Sequence, residues 1–334
     1  MLSNRKNHSA FILSDYRTEL MGVATLMIVF FHLTFRIEHN ALWYLSTHAM
    51  IGVEMFFLLS GMGLCWSISQ DKNLCHFYFK RVIRIFPTYG LVILSCLIVT
   101  RTFSWKAFLL EWSTVGYWTG SNYYDWYIPN QMLLYFIFPL LYVCVNRRWR
   151  ASFIILAIGS VALCLVNKNI DFMAFCRYPV FITGVFLGTA MLKNRMPSAW
   201  ERVSVILFLI AFVFSFCVHL FFTNQQLIDN GWLFKPQMLM VVGLCVLLSK
   251  ALAKCNFCCK ILKLIGAMSL EVYLLHNRFI DLAEYISARC GGGGKYALGL
   301  LLLFVSFFVA YGLHIVMGKL SSVLLVKFCN NIRC

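Results

Sequence analysis

The chain has 334 residues, of which 61% are hydrophobic, 16% aromatic and only 13% charged, and its mean hydropathy is +0.77. Soluble domains hold roughly 45 to 50% apolar residues, so this composition excludes an ordinary water-soluble fold and makes the bilayer the solvent. The net charge of +16 does not point to nucleic acid, because the basic residues sit in small groups between apolar runs and form no single stripe.

Met1 to Thr18 is polar, and no small-residue cleavage site follows the first apolar stretch, so the first span is expected to stay in the mature chain. Hydrophobic windows fall near residues 20–36, 49–69, 83–100, 131–146, 152–167, 178–193, 203–222, 236–253, 261–280 and 296–318. A hydrocarbon core of about 30 Å takes about 20 helical residues, so the shorter windows need uncharged flanks to complete them. The expected architecture is all-α and polytopic, with about ten transmembrane helices in a single domain over residues 1–334. Residues 1–18 form its N-terminal segment and 319–334 its tail.

Charge orients these spans. Alternate connecting segments hold Arg5, Lys6 and Arg17; Lys72, Lys80, Arg81 and Arg84; Arg147, Arg148 and Arg150; Lys193, Arg195 and Arg202; Lys250, Lys254, Lys260 and Lys263; then Lys319, Lys327 and Arg333. Basic residues mark cytoplasmic loops, so both termini are expected in the cytoplasm. The outer loops carry Trp43, Tyr44, Trp118, Tyr123, Tyr124, Trp126 and Tyr127, where amphipathic rings suit the interface. The loop from Arg101 to Asn130 is the longest of them. Its Asp125, Trp126 and Tyr127, beside Asn122, also have the chemistry to stack on and hydrogen-bond a sugar. Gly291 to Gly294 make a flexible outer turn.

Ionisable groups inside spans are costly and are functional candidates by default. His32 lies near the outer end of the first span and Glu54 in the outer half of the second. A histidine can take a hydroxyl proton near neutral pH, or carry an acyl group itself; an interfacial histidine wetted by headgroups is the plainer alternative. Glu54 is placed to orient such an imidazole or to be bonded structurally. Ser60, Gly61 and Gly63 are small residues suited to close helix packing. Arg81 and Arg84, three apart at the cytoplasmic entry to the third span, have guanidinium forks that suit the phosphates of a nucleotide-bearing donor, and they serve equally as topology signals. In the ninth span Ser269, Tyr273 and His276 share a helical face while Glu271 points elsewhere. His219 and His314 read as packing or hydrogen-bonding residues. The fourteen cysteines lack disulfide spacing; Cys255, Cys258 and Cys259 have no second ligand pair, so no metal site is expected.

At these residues the sequence resembles the membrane acyltransferase-3 family of bacterial O-acyltransferases. The likeness runs through GVATLMIVFFH ending at His32, GVEMFFLLSG, FYFKRVIRIFP, DWYIPNQMLLYFIFPLL, RYPVFITGVFLG and GAMSLEVYLLH ending at His276. It implies ten helices in a bacterial inner membrane, a cytosolic acyl-CoA donor, usually acetyl-CoA, and an acceptor hydroxyl on an extracytoplasmic glycan. The family histidine falls on His32 and its basic pair on Arg81 and Arg84. The family arginine eleven residues before the histidine is replaced by Met21, with Arg17 one turn earlier as its stand-in at the inner mouth.

The mechanism expected from this resemblance has Arg17, Arg81 and Arg84 hold the donor phosphates. His32 acts on the acceptor hydroxyl, Glu54 fixes its tautomer, and Tyr273 or His276 support the oxyanion or the acceptor. The rival class is a transporter or flippase of a polar or lipid-linked substrate, for which intramembrane His, Glu and Arg are equally expected; no duplicated half or paired broken helices favour it.

Overall fold

The computed structural model describes residues 12–35, 46–120, 124–148, 151, 159, 177–222, 235–289 and 295–332. Within them every regular element is a helix. After a single turn at Ile12–Asp15 come α1 (Arg17–Phe35), α2 (Ile51–Gln70), α3 (Leu74–Val99), α4 (Trp105–Trp112), α5 (Val115–Trp118), α6 (Tyr127–Arg147), α7 (Tyr178–Leu192), α8 (Trp200–Phe221), α9 (Lys235–Leu252), α10 (Asn256–Ala267), α11 (Ser269–Arg289) and α12 (Lys295–Ile332). Among the described residues six helices are long and apolar enough to cross a bilayer: Ser46–Gln70, Leu74–Val99, Tyr127–Arg147, Trp200–Phe221, Lys235–Leu252 and Tyr296–Phe328. The chain is a multi-pass membrane protein, and its surface says why. On α8 the large apolar side chains Ile206, Ile210, Val213 and Leu220 are all more than half exposed, an arrangement that only lipid makes favourable.

One expectation changes. The window at 261–280 is not one helix: α10 ends at Ala267 and α11 begins at Ser269. The windows at 20–36 and 178–193 correspond to helices of 19 and 15 residues. The window at 152–167 apart from residue 159, Trp43 and Tyr44, Asn122 and Tyr123, and Gly291 to Gly294 lie outside the described residues.

The chain divides into two compact units, Met1–Gln70 with Ile137–Ala267, and Asp71–Phe136 with Met268–Cys334. In the first, α2 is almost wholly buried and packs on α1, α7 and α9. Glycine makes this possible, since without a hydrophobic drive between helices the backbones must approach closely for dispersion to hold them. A Cβ on Gly61 would lie 2.3 Å from the Phe181 carbonyl oxygen, and one on Gly184 2.1 Å from that of Leu58. The close-packing role expected of Gly61 is therefore met on α7. Gly63 does something different: a Cβ there would lie 2.6 Å from an Arg17 Nη atom, so the glycine makes room for a guanidinium.

In the second unit α3 is the hub, packed by α4, α11 and α12. Pro87 lies inside α3 and, having no N–H, leaves the Ile83 carbonyl without its helical donor. The Ser321 hydroxyl of α12 donates to that oxygen at 3.3 Å. Beyond α3 the chain reverses at Arg101, which takes a left-handed φ of 58°, and Ser104 caps α4 by accepting the Ala107 N–H at 3.1 Å. The Trp112 indole then donates to the Phe86 carbonyl at 3.0 Å, with Gly90 leaving space for the ring. Phe86 is thirteen residues before the end of α3, about 20 Å back along its axis. The segment that follows α3 thus folds back beside it.

Candidate functional site

In the first unit, Arg17 and His32 both lie on α1, about 22 Å apart along the helix. Arg17 Nε donates to the Leu59 carbonyl at 2.9 Å, which fixes the guanidinium over Gly63. His32 Nδ1 is 3.0 Å from the Ile28 carbonyl oxygen. A carbonyl only accepts, so Nδ1 carries the proton and the basic lone pair of the neutral ring is on Nε2. The ring is part-exposed and meets Phe31 edge-on.

Glu54 is elsewhere engaged. Its Oε1 is 3.0 Å from Arg177 Nε, and both side chains have 0% exposure. The tautomer-fixing contact expected from Glu54 therefore comes from the carbonyl of Ile28 on the histidine's own helix. Arg177 stands immediately before α7. Sequence reasoning missed it, although a lone arginine opening the apolar run RYPVFITG was a visible sign of a charge needing a partner.

In the second unit, Glu271 of α11 is the centre of a buried ion cluster. Arg84 Nη1 and Nη2 donate to its two oxygens at 2.7 and 3.3 Å, and His314 Nδ1 lies 3.3 Å from Oε1. Arg81 turns the other way, donating to the Phe77 carbonyl at 2.6 Å with its guanidinium 3.7 Å from the centre of the Phe77 ring. The two arginines share a helix face in sequence but end in different environments.

Seven residues on from Glu271, Arg278 grips Asp125 with two hydrogen bonds, 3.1 Å from Nη1 and 2.5 Å from Nη2, and lies over the Tyr124 ring. Tyr124 donates to Asp281 at 2.6 Å; burial first, and then Asp281, push its phenol well above the ordinary tyrosine range. Asp125 also lines a cleft with Tyr89, Glu111, Thr114, Tyr117 and Pro129, built where α4 and α5 fold back. Beside it Tyr127 and Tyr273 meet at 5.2 Å between ring centres, and Trp126 packs edge-on to Tyr127. Tyr273 and His276 are 6.2 Å apart between ring centres, on the face they were expected to share with Ser269. His276 is 1% exposed, and its Nδ1 donates to the Val272 carbonyl at 2.8 Å. Arg278, Glu111 and Tyr89 were not among the candidates: only its pairing with Asp125 singles out Arg278, and only the fold-back of α4 singles out Glu111 and Tyr89.

These arrangements offer a histidine with its base on Nε2 in one unit, and in the other an arginine steadied by a carboxylate beside a polar, aromatic cleft. Residues 20–319 match the family model described as an acyltransferase domain. The acyltransferase MdmB of Streptomyces mycarofaciens is 26% identical over 156 residues, a match covering 40% of this chain and 40% of that protein. No solved structure matches the chain.

Proposed function

The chain belongs to the acyltransferase-3 family, and on that footing we propose that it moves an acyl group, in the first instance acetyl, from cytosolic acyl-CoA to a hydroxyl of an extracytoplasmic glycan. Its place is the bacterial inner membrane, crossed ten times with both termini in the cytoplasm. The alternating basic segments and the apolar outward faces of α8 and α12 support that topology.

His32 carries the reading. With Nδ1 committed to Ile28, Nε2 takes the proton of the acceptor hydroxyl as its oxygen attacks the thioester carbonyl. The carbon–sulfur bond then breaks, and the proton passes to the departing CoA thiolate. Arg84 and Arg81 supply the positive charge for the donor's phosphates. Tyr273 and His276 face the tetrahedral oxygen or the acceptor, and Asp125, Trp126 and Tyr127 contact the sugar. The test is transfer from labelled acetyl-CoA in membranes holding wild-type protein or His32→Ala. A general base contributes roughly a hundredfold to ten-thousandfold in rate, so the variant should lose at least that lower amount, and undiminished transfer would refute the proposal.

A further inference from the structure

Glu271 has 0% side-chain exposure, while Arg84, its partner, is 39% exposed. A carboxylate so buried must be paired, and here the pairing is two-pronged, so it sets the plane of the guanidinium as well as its position. Three helices contribute: Glu271 from α11, Arg84 from α3 and His314 from α12, whose Nδ1 meets Oε1 at 3.3 Å. Arg81 is instead held by Phe77 on its own helix. The contrast matters because a long arginine side chain loses rotamer freedom when it binds a ligand, and one already held loses less. Arg84 is thus ordered from its buried side and presents its remaining surface outward.

We infer that Glu271 is a positioning residue of the donor site: it holds Arg84 in one orientation so that the guanidinium meets a donor phosphate without first being ordered. His314 steadies the second flank of the same carboxylate. The inference rests on the donor reading above and adds to it a residue that touches neither substrate.

Glu271→Gln keeps the shape and removes the charge. In native membranes, which carry the endogenous acceptor, the KM for labelled acetyl-CoA should rise about twofold to tenfold with kcat nearly unchanged. With acetyl-pantetheine, a donor without phosphates, variant and wild type should run at equal rates. An unchanged KM for acetyl-CoA overturns the inference and leaves the acyltransferase reading standing. A parallel fall in kcat with both donors also overturns it, because that is the signature of a chemical or purely structural role. If the wild type transfers from neither donor, the acyltransferase reading itself fails. Should Glu271→Gln not accumulate in the membrane, Glu271→Asp keeps the charge with one methylene less reach; a smaller KM rise is expected, and none would overturn the inference.

Discussion

Glu54 and Arg177 meet at 3.0 Å with neither side chain exposed. Such a pair adds little net stability, since desolvation of both ions offsets their attraction, but removing one partner strands the other. Glu54→Gln or Arg177→Met alone should each destabilise the protein by about 3–5 kcal/mol, and the double variant by less than either. Thermal unfolding in detergent gives the comparison. Additive losses would show that the two charges do not depend on each other.

Glycine contacts make a second prediction, with opposite signs at two positions. A Cβ on Gly22 would lie 2.0 Å from the Leu262 carbonyl oxygen, whereas nothing among the described residues lies within 4 Å of one on the exposed Gly312. Gly22→Ala should therefore push α1 and α10 apart at a cost of about 1–3 kcal/mol. Gly312→Ala, in the interior of α12, should stabilise by about 0.5–1 kcal/mol. The same unfolding measurement decides both, and equal effects would contradict the close approach.

The fold-back of α4 hangs on Trp112. Trp112→Phe keeps an aromatic ring against Gly90 and deletes only the N–H that reaches Phe86, a loss of about 1 kcal/mol. Amide exchange over residues 105–118 should speed up. Trp105→Phe, at a residue 69% exposed, should leave it unchanged. If both substitutions behave alike, the indole does not anchor the segment.

Asp71 closes the turn between α2 and α3. Its Oδ1 accepts the Asn73 N–H at 2.9 Å and its Oδ2 meets the His76 ring. The Asn73 amide first and His76 next hold its carboxyl below the ordinary aspartate range. A depressed carboxyl contributes stability above its unfolded pKa and loses it as pH falls through the folded one. Protection of the amides at 73–77, normalised for intrinsic exchange, should therefore fall as pH drops below about 4. Asp71→Asn should abolish the step, and a step that survives the substitution must belong to another group.

Much of the fold was legible because hydropathy needs no partners. The windows at 49–69, 203–222 and 236–253 lie within three residues of helices Ile51–Gln70, Trp200–Phe221 and Lys235–Leu252, since chain composition alone selects a span. The interruption at Met268 was not legible: GAMS contains no proline, and the close approach of Gly266 to the Thr18 carbonyl is a tertiary fact. The fold-back of α4 was not legible for a related reason. Aromatic residues suit both an interface and a helix flank, and only the reach of Trp112 to Phe86 separates the two.

The candidate site divides the same way. His32, Glu54, Arg84 and Glu271 stood out in the sequence because charge inside an apolar run is costly wherever it occurs, and that cost depends on the run alone. Which charge answers which was decided by packing: Arg177 for Glu54, Arg84 and His314 around Glu271, and Arg278 for Asp125. Ion pairing acts over a few ångströms, and residues far apart in the chain come that close only once the helices have packed.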